Sequence, residues 1–177
     1  MARGKLIVID GLPCCGRSTL ADFLARATGC PWMWGSTDSQ DVFDDLLERL
    51  ATWQDGPLIV CEFHLNAAVA MVEGRNDLTA EQWAVLDKLA EDSDGRVLCM
   101  VDNPVLVEER LREERRTDYM PRQQIGKHLN QLTLALHASN VRKKGTYRLQ
   151  QFLSLETGKT TPMFDRLAAE IRSTEEQ

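Results

Sequence analysis

The order of apolar and amphipathic segments in this 177-residue chain predicts an α/β fold, with a mostly parallel sheet covered by helices on both faces. Three short runs rich in β-branched and aliphatic residues, at 5–10, 57–63 and 96–102, have the length and composition of buried parallel strands. Segments with a helical spacing of apolar residues separate these runs, as crossover connections require. The length fits a single domain, 1–177, with one core.

Local signals support the individual elements. The first strand stops at Gly11, and a helical spacing of apolar residues follows until Gly29 ends that helix. Pro162 stands near the start of the last helix, where a missing N–H costs nothing. The predicted strands are 5–10, 31–36, 57–63, 96–102 and 146–153, and the predicted helices are 18–28, 38–53, 64–73, 79–92, 104–116, 121–139 and 162–173.

Composition narrows the classes of protein. The formal net charge of −6 argues against a general nucleic-acid coat protein, although it leaves room for a local basic groove. The five cysteines show no metal-binding spacing and no disulfide framework, which favours a reducing compartment. No apolar run approaches the ~20 residues that a membrane span needs, and no signal-peptide pattern opens the chain. We therefore expect a cytoplasmic protein that does not associate with membranes.

The clearest motif lies between the first strand and the first helix. The sequence G-L-P-C-C-G-R-S-T at 11–19 matches the phosphate-loop pattern G-x-x-x-x-G-K-[ST], except that Arg17 replaces lysine. Two glycines permit the turn, and the backbone amides between them can surround phosphate oxygens at a helix N-terminus. The residues predicted to bind the nucleotide are Gly11, Leu12, Pro13, Cys14, Cys15, Gly16, Arg17, Ser18 and Thr19.

Two residues of this loop have more specific predicted roles. The hydroxyl of Ser18 is a ligand for Mg²⁺, and Arg17 is expected to lie against the β and γ phosphates of ATP as a catalytic cation. Arginine keeps the charge of the usual lysine but is planar and bidentate. The alternative is an ordinary glycine turn between a strand and a helix. For Cys14 and Cys15, a role as small packing residues is favoured over one as reactive thiolates.

Three stretches carry a resemblance to a known family. The stretch IDGLPCCGRSTLADFLA, with Asp10 before the loop, resembles the opening of the thymidylate-kinase-like branch of nucleoside and nucleotide kinases. The run 58–70 resembles the strand-end motif D-R-[YFW]-x-x-S of these kinases, and 97–119 resembles a strand followed by D-x-P-x-x-x-x-x-R and an arginine-rich lid. The resemblance implies a P-loop kinase fold with a five-stranded parallel sheet and a helical lid at about 108–122. It also implies ATP, Mg²⁺ and an acceptor bound in a cleft at the strand ends.

The chain departs from this family at the acceptor side. Cys61 and Glu62 stand where the family has D-R, so the arginine that grips an acceptor phosphate is missing. Glu62 suits a general base on an acceptor hydroxyl, with a solvated or salt-bridged strand-end residue as the alternative. We assign Asp10, Glu62 and His64 to acceptor binding. For His64, a hydrogen-bonded structural role is the favoured alternative.

Arginines in the predicted lid offer further catalytic candidates. Arg112, Arg115 and Arg116 share one side of a helix, and a closing arginine can stabilise the charge of a transferring phosphoryl group. We assign catalysis to Arg112 and Arg116; the alternative is a solvated helix whose arginines pair with interleaved glutamates. Asp102 either orients a metal-bound water or caps the following helix, with the cap favoured. Trp32 and Trp34 either stack on an acceptor base or pack in the core or the cleft wall.

The acceptor is the least determined part of the prediction. The stretch V-R-K-K-G-T-Y-R at 141–148 is basic. It either contacts a polynucleotide backbone or forms a soluble turn before the last strand, and the turn is favoured. Together with the missing arginine, this stretch points to the bacteriophage 5-hydroxymethyluracil DNA kinases, which phosphorylate a base already in DNA. The small size and divergent loop of the chain resemble that subgroup of the family. The hydroxymethyl group of 5-hydroxymethyluracil in phage DNA is therefore the leading acceptor hypothesis. A phage-encoded protein of this kind would act in the host cytoplasm. The alternatives are a kinase of free deoxynucleosides or monophosphates such as thymidylate, and a non-catalytic nucleotide-binding regulatory module. The oligomeric state is open, with a homodimer among the alternatives.

Overall fold

The computed structural model describes residues 4–35, 42–53, 56–114 and 120–173. Within these ranges, five parallel strands form one sheet in the order β2-β3-β1-β4-β5. The strands are β1 (Leu6–Gly11), β2 (Trp32–Trp34), β3 (Leu58–Cys61), β4 (Arg96–Met100) and β5 (Lys143–Tyr147). The helices are α1 (Arg17–Thr28), α2 (Val42–Thr52), α3 (His64–Val72), α4 (Ala80–Asp92), α5 (Pro104–Glu113), α6 (Arg122–Ala138) and α7 (Pro162–Arg172). This architecture confirms the predicted α/β fold with a five-stranded parallel sheet.

The core is built around β1, which lies between β3 and β4 and is buried along its whole length. A strand covered on both faces needs an almost continuous apolar sequence, which explains the run LIVI. Helices α1 and α7 pack together, and α1 also contacts β1, β2 and β3. A second group of helices joins α3, α4, α5 and α6, with α3 and α4 in contact with β1.

The strand order positions a cleft beside β1. From β1 the chain crosses to β2 on one side of the sheet, and after β3 it crosses to β4 on the other side. Ligands of open parallel sheets bind outside the carboxyl ends of the strands where the direction of winding changes. In this chain that point is the carboxyl end of β1, where the predicted phosphate loop begins.

The last predicted strand was misplaced. The strand β5 is Lys143–Tyr147, whereas 146–153 was expected, and Leu149–Gln151 form a short 3-10 turn instead. The basic stretch 141–148 therefore contains an edge strand, which contradicts its assignment to a turn. Its lysines are engaged: Lys143 Nζ lies 2.8 Å from Asp94 Oδ2, and Lys144 Nζ donates to the carbonyl oxygen of Ser139.

The predicted lid at about 108–122 is described only in part. Helix α5 includes Glu108 and ends at Glu113, and α6 begins at Arg122. Arg115 and Arg116 lie outside the described residues. None of the helices in the described part of the chain combines the length and apolarity that a membrane crossing requires.

Candidate nucleotide-binding site

The phosphate loop begins where β1 meets the end of β4. Gly11 has φ 139°, and a Cβ atom there would lie 2.0 Å from the carbonyl oxygen of Met100. The next amide, of Leu12, donates to the same oxygen at 3.0 Å. Only glycine fits this backbone angle and this close approach. The first glycine of the motif is therefore required by the join between loop and sheet.

The loop ends at the N-terminus of α1. Gly16 is the N-cap residue with φ 82°, and a Cβ atom there would lie 2.6 Å from Leu149 Cδ2. No side chain caps α1, and the amide of Leu20 donates to the carbonyl of Gly16 at 2.9 Å. The N–H groups that precede Leu20 in the first turn have no intrahelical acceptor, because a helix leaves its first amides without one. Together with the helix dipole, these amides favour an anion such as phosphate.

A cleft of about 440 Å³ lies over the loop. Loop residues 14–19 line one side, and Trp34, Glu62 and Asp102 come from the carboxyl ends of β2, β3 and β4. The remaining wall includes Arg110 from α5 and Leu149 from the turn after β5. The cleft thus joins the phosphate loop to acidic and aromatic side chains at the strand ends, as the switch-point argument predicts.

Arg17 and Glu62 form an ion pair inside this cleft. Nη2 of Arg17 lies 2.7 Å from Oε1 of Glu62, and Nη1 donates to the carbonyl oxygen of Gly11 at 3.1 Å. The Arg17 side chain is only 10% exposed, so its charge is directed into the site and away from bulk solvent. Glu62 has φ 58°, a left-handed backbone angle that is unusual for a residue with a side chain. This strand-end conformation brings the glutamate to the phosphate loop.

Asp10 does not lie in the cleft, in contrast to its predicted role in acceptor binding. Its carboxylate is fully buried and accepts hydrogen bonds from the amides of Phe63 and Leu65, the latter at 2.7 Å. Burial raises the pKa of Asp10 above its ordinary value, although the two amide hydrogen bonds act in the opposite direction. A buried carboxylate with these partners presents no surface to an acceptor. Asp10 instead fixes the junction of β3 and α3, which carries Glu62.

His64 is likewise placed behind the cleft rather than in it. Its side chain is fully buried, and Nε2 lies 3.4 Å from both Oδ1 of Asp87 and Oγ of Ser139. Burial raises the pKa of Asp87, but hydrogen bonds from His64, Ser139 and Asn140 outweigh it and bring the pKa to about 2. The structural alternative for His64 therefore fits this position, and direct acceptor binding does not.

Arg112 of α5 does not lie in the cleft, in contrast to its predicted catalytic role. Arg112, predicted as catalytic, has a side chain that is 63% exposed and pairs with Glu108 at 3.1 Å. It is not among the described residues that line the cleft. Arg116, the second predicted catalytic arginine, lies outside the described residues. Arg112 thus matches the alternative of an arginine paired with a glutamate on a solvated helix face.

Arg110 is the arginine of α5 that reaches the loop. Nη1 donates to the carbonyl oxygen of Cys14 at 3.1 Å, and Nη2 lies 2.8 Å from Oδ2 of Asp102. Asp102 does not cap α5, because Asn103 is the N-cap residue and accepts from the amide of Val105 at 2.9 Å. A sequence signal for this pair existed, since Asp102 and Arg110 are the first and last residues of the D-x-P-x-x-x-x-x-R match.

Asn66 is a second residue that the sequence interpretation missed. Its amide holds both backbone groups of Gly11, accepting from the N–H at 2.8 Å and donating to the carbonyl at 3.1 Å. The available signal was its place at the last position of the D-R-[YFW]-x-x-S match, in a helix that is apolar after it. Asn66 therefore ties α3 to the first glycine of the loop.

The cysteines behave mainly as small packing residues. Burial raises the pKa of Cys15, Cys61 and Cys99 to about 12 in each case, so these thiols are neutral at physiological pH. Cys14 is partly exposed, with Sγ 3.4 Å from Oε2 of Glu114. None of the five, all of which the structure describes, forms a disulfide.

The oxygen donors in the cleft fit Mg²⁺ only in combination with a nucleotide. Ser18 contributes a hydroxyl, and Glu62 and Asp102 contribute carboxylates that are each paired with an arginine. No group of three metal-binding side chains occurs in the described part of the chain. Mg²⁺ commonly keeps few protein ligands and takes the rest from phosphates and water. Ser18 is therefore the residue best suited to hold it.

Comparison with solved structures defines the fold class. The YorR protein from Bacillus subtilis, solved in complex with phosphorylated GDP, matches with a TM-score of 0.68 and 20% sequence identity, over 97% of this chain and 95% of that chain. A gluconokinase from Sinorhizobium meliloti 1021 matches with a TM-score of 0.53 and 15% identity, over 98% of this chain and 90% of that chain. No protein-family model and no curated protein matches the sequence. The chain therefore has the fold of P-loop kinases, and within that fold its loop carries arginine at the usual lysine position.

Proposed function

We propose that the protein is an ATP-dependent phosphotransferase that transfers the γ-phosphoryl group to a hydroxyl of a nucleotide-type acceptor. One observation carries the proposal: a glycine-bounded loop meets the uncapped N-terminus of α1 in a cleft whose acceptor side holds Glu62. The fold that the chain shares with the gluconokinase and YorR agrees with phosphoryl transfer.

The residues of the loop have distinct roles in this proposal. The amides of the loop and of the first turn of α1 bind the phosphates, and Arg17 neutralises the β and γ phosphates. Ser18 would hold Mg²⁺, which neutralises charge on the phosphates when bound. Arg110 and Asn66 keep the loop in the shape that binding needs, through Cys14 and Gly11.

Glu62 is the general base of the proposed reaction. Its carboxylate takes the proton of the acceptor hydroxyl as the hydroxyl oxygen attacks the γ-phosphorus. The bond between that phosphorus and the β–γ bridging oxygen breaks, and ADP leaves with the electron pair. Asp10 supports this role indirectly, because it fixes the amides of Phe63 and Leu65 on either side of the start of α3.

For the acceptor, we retain the hydroxymethyl group of 5-hydroxymethyluracil in DNA as the leading hypothesis. A carboxylate at position 62 suits an uncharged hydroxyl better than a free 5′-phosphate, because like charges repel. The basic stretch 141–148 adds little support, since Lys143 and Lys144 are engaged within the fold. A free deoxynucleoside or monophosphate is the second candidate, and the phosphorylated GDP bound to YorR favours acceptors of nucleotide size.

The test is transfer of label from γ-labelled ATP to a panel of acceptors. Free deoxynucleosides, monophosphates, plain DNA and hydroxymethylated DNA are offered side by side, and we expect label in the hydroxymethylated DNA. Ser18→Ala should abolish transfer, whereas Ser173→Ala removes a hydroxyl at the far end of α7 and should not alter it. Label found only in a small nucleotide would contradict the DNA acceptor and identify that nucleotide as the acceptor instead. ATP binding without any labelled product would contradict the phosphotransferase and favour a regulatory module.

A further inference from the structure

The ion pair of Arg17 and Glu62 links the phosphate side of the cleft to the acceptor side. Arg17 is the residue proposed to neutralise the triphosphate, and Glu62 is the residue proposed to accept a proton. In the structure their charged atoms are 2.7 Å apart, and both side chains line the same cleft. Because Oε1 of Glu62 accepts from this guanidinium, that oxygen does not accept a hydrogen bond from an acceptor hydroxyl while the pair is intact.

The remaining contacts of Arg17 also limit its freedom to bind phosphate. Its Nη1 donates to the carbonyl oxygen of Gly11, so both terminal nitrogens of the guanidinium have protein acceptors. Gly11 also binds Asn66 through its N–H and its carbonyl, which fixes that acceptor in place. The side chain is 10% exposed, so it has little freedom to bind a new anion while it keeps these partners. Phosphate oxygens and the Glu62 carboxylate would therefore compete for one cation.

The other charges in the cleft do not substitute for Arg17. Arg110 is held between Asp102 and the carbonyl of Cys14. Glu114, the third carboxylate that lines the cleft, contacts Sγ of Cys14. Arg17 is therefore the cation for which Glu62 and the phosphates would compete.

We propose that Arg17 is an exchangeable counter-ion that couples the two substrates: the triphosphate draws Arg17 away from Glu62, and Glu62 becomes an effective base only then. This inference rests on the proposed function. It explains two departures of the sequence together, because an arginine in the loop and a glutamate at position 62 form a matched pair. It also means that an acceptor hydroxyl loses its proton only when ATP is in the cleft.

The test measures the affinity of a non-hydrolysable ATP analogue by calorimetry. Glu62→Gln removes the competing charge and keeps the shape of the side chain, so we expect affinity to rise about three- to tenfold while turnover falls. Glu114→Gln removes another carboxylate of the same cleft, one that contacts Sγ of Cys14, and serves as the matched control. In an Arg17→Ala background, Glu62→Gln should leave affinity within about twofold, because there is no cation left to exchange.

The outcomes separate this inference from the proposed function. Equal or weaker analogue binding by Glu62→Gln, an equal gain in Glu114→Gln, or a gain that persists in the Arg17→Ala background overturns the exchange of Arg17. If wild-type protein turns over ATP with an acceptor in that case, the proposed function still stands. If Glu62→Gln binds the analogue more tightly but the wild-type protein labels no acceptor, the exchange stands and the phosphotransferase does not. Absence of analogue binding to the wild-type protein overturns both.

Discussion

At the scale of single residues, Arg110 connects parts of the cleft that come from distant points in the chain. It bridges Asp102, which follows β4, and the carbonyl of Cys14 in the loop. Cys14 has φ 53°, a left-handed backbone angle that costs energy for a residue with a side chain. A guanidinium with two fixed contacts can hold that peptide in place, whereas a single ammonium on a flexible stem cannot.

We therefore predict that Arg110→Lys impairs nucleotide binding although the charge is kept. The KM for ATP should rise about tenfold, which corresponds to the loss of one charge-assisted hydrogen bond. Steady-state kinetics with ATP as the varied substrate measure the effect. Arg112→Lys is measured alongside as a comparison. The catalytic role assigned to Arg112 from the sequence predicts impaired activity, whereas its exposed ion pair with Glu108 predicts little change. A normal KM in Arg110→Lys would show that Arg110 does not support the loop.

The residues of the site differ in how far the sequence could reveal them. Gly11, Gly16, Arg17 and Ser18 form a local motif whose spacing follows from the geometry of one turn. Asn66 acts on Gly11 across 55 positions in the chain, and such a contact depends on how α3 packs beside β1. His64 and Asp10 stand at strand ends, where a polar residue is typical of a ligand site. Only the structure shows that both side chains point into the interior.

At the scale of elements, the junction of β3 and α3 depends on Asp10. The N-cap residue of α3, Phe63, has no side chain that can accept a hydrogen bond from the first turn. Asp10 supplies the acceptors from the neighbouring strand β1 and binds the amides of Phe63 and Leu65. One carboxylate therefore sets the direction in which the chain leaves the sheet, directly after Glu62.

Asp10→Ala should destabilise the fold and disturb this junction. Two buried amides lose their acceptor, and the expected loss in the free energy of unfolding is about 2 to 4 kcal/mol. Urea unfolding measures it, with Asp22→Ala on the exposed side of α1 as the control at about 0.5 kcal/mol or less. Equal urea midpoints for Asp10→Ala and wild type would contradict a structural role for Asp10.

The strands differ in how accurately their bounds could be predicted from the sequence. Buried strands β1, β3 and β4 have apolar runs, and their predicted bounds agree with the structure to within about two residues at each end. The strand β5 lies at the edge of the sheet and reads KKGTY, with intermediate or exposed side chains throughout. The apolar residues after it, including Phe152 and Leu153, fold back into the core without forming a strand. Apolarity thus predicts burial, and it predicts strands only where the strand itself is buried.

At the scale of the whole molecule, a buried polar cluster joins three helical segments behind the cleft. It consists of His64 at the start of α3, Asp87 in α4 and Ser139 at the end of α6. Ser139 Oγ donates to Oδ1 of Asp87 at 2.5 Å, and the amide of Asn140 donates to Oδ2 at 2.8 Å. Since α3 carries Asn66, this cluster ties the phosphate loop to the helical layer beneath it.

The pH dependence of stability provides a test of this cluster. The pKa of Asp87 is about 2 in the folded protein, below its ordinary value of 3.8, so folding favours the ionised carboxylate. Its contribution is fully present above about pH 4 and is lost as the pH falls toward 2, and it amounts to about 1 to 2 kcal/mol. Asp87→Asn cannot accept the same set of hydrogen bonds and lacks this titration. The difference in the free energy of unfolding between wild type and Asp87→Asn should therefore be largest at pH 5 to 7.

Urea unfolding at pH 7, 5, 4 and 3 measures this difference, which should shrink below pH 4. Asp10 titrates in the opposite direction, because its pKa is raised and its folded state favours the protonated acid. Both proteins contain Asp10, so its effect cancels in the comparison. Asp92→Asn is the control, since Asp92 pairs with Lys88 on the surface of α4. A difference for Asp87→Asn that stays constant from pH 7 to pH 3 would mean that the ionised carboxylate does not hold the three helical segments together.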